Sequence, residues 1–261
     1  MKNVLMYKYD PHSESAELLQ EYMGIKSIRH EGSTFKGDRH HTVVNWGSSD
    51  LPRHVRTAGR ILNSEGAVHT SANKLRTFRA LKLEDVRSVP WTSSAMTARE
   101  WLLAGARVVV RARVAGKDGE GVSIIQGPQA AIPEAPLYTK MVDARNEYRF
   151  HVVAGNVVAA HRKVQDRAKI ERGQNGSGDV KNSKNGWVFK RVTEYDNDLR
   201  VQSTAAIRAV GLDFGAVDLI WDGVRAWVLE TNTAPAINEM AWTCRQYAAA
   251  ITAMIPERAR G

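Results

Sequence analysis

Asp218, Glu230 and Asn232 are the residues of this chain whose types and spacing point most directly to chemistry. They lie in GLDFGAVDLIWDGVRAWVLETN, residues 211–232. Two apolar runs, AVDLIW and AWVLE, flank a turn centred on Asp222-Gly223, which reads as strand, tight turn, strand. Alternate residues of a strand share a face, so Glu230 and Asn232 project together. Asp218 falls on the partner strand, within cross-strand reach. Two carboxylates and a carboxamide oxygen aimed at one spot suit a hard cation such as Mg²⁺, which takes few protein ligands and keeps room for phosphate oxygens. The competing reading makes these acids solvated strand ends. It fits Asp222, a turn residue. It fits Asp218 and Glu230 less well, because each sits among apolar residues, where an unpaired carboxylate is costly. The expectation is a floor for a magnesium–nucleotide complex.

Cations precede this floor. EYRFHVV and NVVAAHRKV form a hairpin through Ala154-Gly155, with Arg149 on the first strand and Arg162 and Lys163 at the end of the second. Strands carrying cations to one surface can clamp a transferring phosphoryl group or a carboxylate, and Arg is the better bidentate partner. An ordinary solvated sheet face is the alternative. Earlier, the strand RVVVRARV carries Arg107, Arg111 and Arg113 into AGKDGEGVSI, where Gly116, Gly119 and Gly121 fall close together. Such a loop can fold over phosphates and offer backbone N–H groups. It matches neither the P-loop nor the dinucleotide-binding fingerprint, and a flexible surface turn is its commoner meaning. DRAKIERGQNGSGDVKNSKNGW reads as a polar loop; its Asn182 and Asn185, beside Lys181 and Lys184, are either ligands to phosphate or metal or plain turn residues.

Other elements must position these groups. NVLMYKY is a strand; Ser13 or Ser15 caps a helix that Gly24 ends; IKSIRH and TVVNW are further strands. This order predicts a small α/β unit in the first part of the chain. Asn45-Trp46-Gly47-Ser48, at a strand end, is placed either to line a cleft or simply to turn. HTSANKLRTFRALKLEDV reads as one helix with Leu75, Phe78, Leu81 and Leu83 on its apolar face, and VPWTSS stops it. On periodicity Lys74 is surface. AREWLLAG is a short helix. EYDNDLRVQSTAAIRAVG is a helix that starts at Asp196 or Asp198 and stops at Gly211; a closing helix starts at Pro235.

The 261 residues suffice for a sizeable core, and 43% hydrophobic with 25% charged residues is ordinary for a globular chain. No run is long enough to span a membrane, and the start lacks a signal-peptide core, which points to the cytoplasm. The single cysteine, Cys244, excludes an internal disulfide framework and a cysteine zinc cluster; it reads as packing. The net charge of +9 suits a polyanionic ligand, either nucleotide phosphates or nucleic acid.

Taken together, four motifs in order resemble the ATP-grasp superfamily, and within it the ribosomal-S6-modification and glutathione-synthetase-like carboxylate–amine ligases, most closely the small ATP-grasp proteins encoded by tailed bacteriophages. The motifs are NKLRTFRALKLEDVRSVPWT, EYRFHVVAGNVVAAHRKV, FGAVDLI and ETNTAPAI. The resemblance implies an α+β fold, with two α/β subdomains sandwiching ATP after a small N-terminal α/β domain, divided as 1–90, 91–140 and 141–261. It implies ATP and Mg²⁺, with Asp218, Glu230 and Asn232 on the metal and Arg149 and Arg162 on the γ-phosphate and acyl phosphate. Lys74, Lys163 and the loop with Gly119 and Gly121 would meet the nucleotide, and Tyr138, Thr139 and Lys140 the adenine. Arg111 stands where the family has a lysine, and Asp143 is the acid nearest the ribose position. The implied reaction joins a carboxylate to an amine through an acyl phosphate, releasing ADP and phosphate. The rivals are a kinase acting on a hydroxyl and a non-catalytic nucleotide- or nucleic-acid-binding module. The acceptor is equally a small amino acid, a peptide, or a nucleic acid or modified nucleotide; a phage-encoded protein would act in the host cytoplasm.

Overall fold

Ser13 settles how the first helix begins. Its Oγ accepts from Ala16 N, and the helix α1 (Glu14–Met23) runs until Gly24 takes a left-handed conformation (φ 63°). Ser15 is buried inside that helix and accepts from Ile237 N at 2.9 Å instead. The coordinates are those of a computed structural model, which describes residues 1–115, 121–171, 185–237 and 240–260.

Before α1 comes β1 (Val4–Lys8) and after it β2 (Lys26–Ser27), β3 (Thr42–Trp46), α2 (Arg53–Arg56) and β4 (Arg60–Leu62). These strands form a parallel sheet in the order β2-β1-β3-β4. All five residues of β3 are buried, as expected for a strand covered on both faces. The sequence reading missed β4, whose three residues are too few for periodicity to show.

The expected single helix over 69–86 is two. α3 (Glu65–Ala72) ends and α4 (Lys74–Leu83) begins at Asn73, whose backbone is extended (φ −113°, ψ 108°) and whose Oδ1 accepts from Arg76 N at 3.0 Å. Asn is a strong N-cap because its side chain replaces a missing backbone acceptor. Phe78 and Leu81 are buried, but Leu83 is 85% exposed and does not belong to the apolar face.

β5 (Trp91–Thr92), α5 (Ala95–Leu103), β6 (Val108–Arg111), β7 (Val122–Ile125) and β8 (Leu137–Lys140) follow. Their strands make an antiparallel sheet in the order β5-β8-β6-β7. The third sheet is built from β9 (Asn146–Val153), β10 (Asn156–Gln165), β11 (Trp187–Arg191), β12 (Phe214–Trp221) and β13 (Ala226–Asn232), with α6 (Arg167–Glu171) before β11 and α7 (Asn197–Ala209) before β12. Its order is β11-β10-β9-β12-β13, antiparallel throughout. β11 begins at the last residue of the expected polar loop and runs through 188–191, to which the sequence pattern assigns no element. Asp196 caps α7, while Asp198 turns inward to Arg87 and to Ala226 N.

α8 (Ala241–Met254) and α9 (Glu257–Arg260) end the chain. α8 does not start at Pro235; residues 233–237 lie in a loop whose Ile237 is buried against α1 and α8. Two cores sandwich the third sheet. On one face Phe150, Val152, Val217 and Leu219 meet Phe78 and Leu81 of α4 and Leu199 and Ile207 of α7. On the other, Val153 and Phe214 meet Leu19 of α1, Trp46 and α8. Cys244 lies in this second core, where burial pushes its thiol up to about 12, consistent with packing.

Residues 45–48, read either as lining a cleft or as a turn, are largely interior. Trp46 stacks on Phe214 with centroids 5.8 Å apart, and Asn45 Nδ2 donates to the carbonyls of Ser48 and Asn63 at 2.8 Å each. No helix among the described residues is long and apolar enough to cross a membrane.

Candidate functional site

Strand register assembles the site. Asp218 of β12 lies opposite Arg149 on one side and Glu230 of β13 on the other; Ala216 lies opposite Asn232. Opposed residues share a face, so Arg149, Asp218, Glu230 and Asn232 all project from the same side of the sheet.

Arg149 and Asp218 form a bidentate pair, Nε to Oδ1 at 2.7 Å and Nη2 to Oδ2 at 2.8 Å. Both side chains are largely buried. Burial alone would raise the Asp218 carboxyl, but the Arg149 guanidinium, backed by Lys163 and Lys74, holds it below the usual carboxylate range. Glu230 is met by Lys74, Nζ to Oε2 at 2.7 Å. Lys74 stands in the first turn of α4 because Asn73 breaks the helical run there, and its main-chain N–H donates to Val114 O at 2.8 Å.

Arg111 comes from the second sheet. It lies opposite Leu137 of β8, on the face that also carries Thr139 and Val109. Its Nε is buried with no hydrogen-bond partner among the described residues. Burial lowers its basicity and Glu230 restores part of it. A buried guanidinium N–H without an acceptor is what a bound anion would satisfy.

Lys163 completes the cationic side. Its Nζ pairs with Glu147 Oε1, and both Lys163 and Arg149 approach the ring of Phe189, at 5.2 and 4.4 Å from its centroid. Four cations (Lys74, Arg111, Arg149, Lys163) thus share one electrostatic cluster with three carboxylates (Glu147, Asp218, Glu230).

Four expected site residues are placed elsewhere. Arg162 lies opposite Tyr148, on the face turned away from Arg149, and is exposed. Strand alternation explains this: Lys163, not Arg162, has the parity of Arg149. Tyr138 is buried among Ala98, Leu102 and Val110, its hydroxyl donating to Pro133 O and accepting from Ala135 N, each at 2.8 Å. Lys140 shares the parity of Tyr138, so of the expected adenine residues only Thr139 faces with Arg111. Asp143 is fully exposed, 3.9 Å from Arg107. Gly121 has a positive φ (71°) and its carbonyl accepts from Ala112 N. Gly116, Gly119, Lys181, Asn182 and Lys184 lie outside the described residues.

The set fits Mg²⁺ held jointly with phosphate oxygens. Among the described residues no group of three or more His, Cys, Asp and Glu could cage a metal alone. Two carboxylates and one carboxamide on one face match a cation that keeps external oxygen ligands. Asn232 Oδ1 accepts from Ala234 N at 3.0 Å, which fixes the side chain.

Glu147, Phe189 and the buried pair His151 and His161 were not foreseen. Alternation from Arg149 would have found Glu147 and His151; Phe189 needed a strand that the sequence hid. A groove of about 670 Å³ lined by Asp85, Arg87, Ser88, Pro90, Trp91 and Trp101 contains none of the cluster. The cluster is a largely buried set of charges rather than an apolar cavity.

No protein-family model and no curated protein matches the sequence. Solved structures do match. The ATP-grasp ligase PsnB, complexed with minimal precursor, Mg and ADP, aligns at TM-score 0.68 and 14% identity over 97% of this chain and 97% of that one. A RimK domain protein ATP-grasp from Sphaerobacter thermophilus aligns at TM-score 0.63 and 14% identity, over 94% of this chain and 98% of that one. A RiPP-associated ATP-grasp ligase from Chryseobacterium gregarium, in complex with ADP and a leader and core peptide, aligns at TM-score 0.64 and 13% identity over 98% of each chain. The likeness shows the fold: the chain has the α+β ATP-grasp fold along nearly its whole length.

Proposed function

We propose that this protein is an ATP-dependent carboxylate–amine ligase that activates a peptide carboxylate as an acyl phosphate. One observation carries the reading: the third sheet presents Arg149, Asp218 and Glu230 in a single cross-strand row, and Arg111 of the second sheet faces it with an unsatisfied buried N–H. A plain polyanion binder gains nothing from clustered acids. The three structural relatives named above are ATP-grasp proteins, two of them complexed with ADP and with precursor or leader and core peptides. They support nucleotide and peptide as substrates over a nucleic-acid acceptor.

In this reading the units 91–140 and 141–261 face each other across the nucleotide, and 1–90 flanks the acceptor side. Glu230, Asn232 and Asp218 hold Mg²⁺, which would neutralise phosphate charge. Arg111 and Lys74 bind phosphate oxygens. Arg149 and Lys163 orient the attacking carboxylate and offset the negative charge that builds on the transferring group. A carboxylate oxygen attacks Pγ, the bond from Pγ to the bridging oxygen breaks, and ADP leaves. The amine then attacks the acyl carbon, phosphate departs, and the amine loses a proton, giving the amide. No enzyme nucleophile is needed.

The test is Mg-dependent ATP turnover across pairs of carboxylates, including acidic peptides, and amines, with products read by mass spectrometry. ADP that appears only when both partners are present, with an amide product, is the expected result. A stable phosphate ester on a hydroxyl, formed without an amine, would make the protein a kinase. ADP at background for every pair would remove the ligase reading.

A further inference from the structure

The reaction cluster continues outward along β11. In the register with β10, Phe189 lies opposite Lys163 and Arg191 opposite His161, which is itself opposite Arg149. Phe189 and Arg191 therefore share the face of the cluster. Arg191 is exposed, and its guanidinium carbon sits 4.4 Å from the ring centroid of Trp242, in the first turn of α8. Trp242 is itself 45% exposed, among the larger apolar surfaces of the protein. A guanidinium laid on an indole keeps its edge N–H groups for a planar anion. β11 is also an edge strand: among the described residues no strand pairs with its outer side. An edge presents main-chain N–H and C=O groups to any extended chain.

We infer that β11 and the first turn of α8 form an entry lane for an extended acidic peptide, in which Arg191 holds a carboxylate two positions from the one activated beside Arg149 and Lys163. The spacing carries this. Same-face residues of a strand repeat every ~6.6 Å, and an extended peptide has the same repeat. With one carboxylate at the level of Lys163 and Phe189, the next same-face side chain reaches Arg191. The charge agrees: the protein carries +9 overall. Trp242 stiffens Arg191 and offers an apolar wall to the residue beyond. The inference rests on the ligase reading for the identity of the activated group, but not for the binding.

The test uses the full-length protein and short fluorescein-labelled peptides that differ at one position: Glu-x-Glu, Glu-x-Gln and Glu-x-Lys. Binding is read by anisotropy without ATP. Glu-x-Glu is expected to bind about tenfold more tightly than Glu-x-Gln, the effect of one charge-assisted contact, and Glu-x-Lys more weakly still. Arg191→Gln is expected to weaken Glu-x-Glu by the same factor and to leave Glu-x-Gln unchanged, so that the two losses do not add. Trp242→Phe should keep the preference and Trp242→Ala reduce it, with thermal melts of each variant checking the fold. Equal affinity for the three peptides overturns the lane, as does loss of Glu-x-Gln binding to the same extent in Arg191→Gln. Tighter binding of a single-stranded oligonucleotide than of Glu-x-Glu, abolished by the same substitution, overturns it in favour of nucleic acid. ATP turnover by the unsubstituted protein with small carboxylates reports separately on the ligase reading, so either can fail alone.

Discussion

Lys74 reaches Glu230 at 2.7 Å from the first turn of α4, a position where the helix dipole disfavours a cation. The carboxylate, not the helix, holds it there. Both groups keep some exposure, 20% and 35% for their side chains, so the pair contributes on the order of 0–1 kcal/mol to folding. Lys74→Met should therefore leave the melting temperature within a few degrees and weaken nucleotide binding about tenfold or more, as loss of a charge-assisted phosphate contact does. Calorimetric titration of ATP alongside a thermal melt checks this; unchanged nucleotide affinity would place Lys74 outside the site.

Asp218 and Glu230 share a face but not a fate. Asp218 gives both oxygens to a buried guanidinium. Asp218→Asn removes the charge and leaves Arg149 buried against a neutral partner, which costs about 3 kcal/mol or more when a buried pair is broken. Glu230→Gln breaks the partly exposed contact with Lys74 and removes a charge near Arg111, but leaves the buried Arg149–Asp218 pair intact. The expected outcome is that chemical denaturation shows a large loss for Asp218→Asn and a small one for Glu230→Gln, while both lose magnesium-dependent turnover. Equal stability of the two variants would mean that the Arg149–Asp218 pair is not the anchor of the sheet.

The contrast between these residues also marks what the sequence could disclose. Alternation along 226–232 puts Glu230 and Asn232 on one face, and the turn at Asp222-Gly223 sets Asp218 near them; the structure has that register, apart from a bulge after Asp218. The helix break at Asn73 was hidden because flanking apolar residues continue the helical period through it. The phosphate role of Arg162 comes from the family resemblance, whereas parity with Arg149 favours Lys163. β11 follows the polar loop 166–187 as a short stretch to which the sequence pattern assigns no element, so Phe189 and Arg191 are not placed by it. The resemblance puts Tyr138 at the adenine hinge, whereas the fold buries its ring in the core beneath α5.

His161 and His151 predict how the protein responds to acid. Their rings lie 5.1 Å apart, edge to face; His161 Nε2 meets Thr243 Oγ1 at 3.2 Å, and His151 Nδ1 meets Tyr247 Oη at 3.0 Å. Tyr247 Oη also donates to Gly215 O, so the neutral His151 is the donor to Tyr247. Burial first, then Arg149 and Arg191, pulls His161 down to about 4, and burial with His161 and Arg149 holds His151 well below its ordinary value. Both folded-state values lie below the ordinary 6.5. Above that value neither state is protonated and nothing is lost. As pH falls below about 6.5 the unfolded chain takes up protons that the folded chain refuses, and each histidine removes up to about 1.4 kcal/mol per pH unit. For His161 the loss levels off near 4. Denaturation midpoints measured from pH 7.5 to 4.5 should fall steadily below 6.5, and His161→Gln should flatten the slope by about one proton. An unchanged slope would refute the assignment.

Gly47 links the parallel sheet to the metal motif. It sits at φ 85°, and a Cβ there would lie 2.9 Å from Ala234 Cβ and 3.0 Å from the Tyr9 ring. Ala234 N is the group that holds Asn232 Oδ1. Gly47→Ala should therefore cost roughly 1–2 kcal/mol from backbone strain and also raise the magnesium concentration needed for half-maximal ATP turnover. Gly47→Ala combined with Ala234→Gly relieves the closest clash while leaving the strain, so the magnesium requirement should recover more than the stability does. Parallel recovery of both would show that Gly47 serves folding alone.

Lys163 and Arg162 give the sharpest contrast because they are neighbours in sequence and opposites in space. Lys163 has the parity of Arg149, pairs with Glu147 and lies by Phe189; Arg162 is exposed on the other face, opposite Tyr148. If charge near the transferring group is what accelerates the reaction, only the residue on the Arg149 face can supply it. Removing one preorganised contact to developing charge costs about 10²–10³ in turnover. Lys163→Met should fall by that order, with nucleotide binding largely kept, whereas Arg162→Met should stay within about threefold of the parent, since exposed substitutions away from a site change energies by about 0.5 kcal/mol. Steady-state ATP turnover on the two variants decides it: a comparable loss from Arg162→Met would mean that the hairpin register described here is shifted by one residue, which would turn every site side chain of β10 to the opposite face.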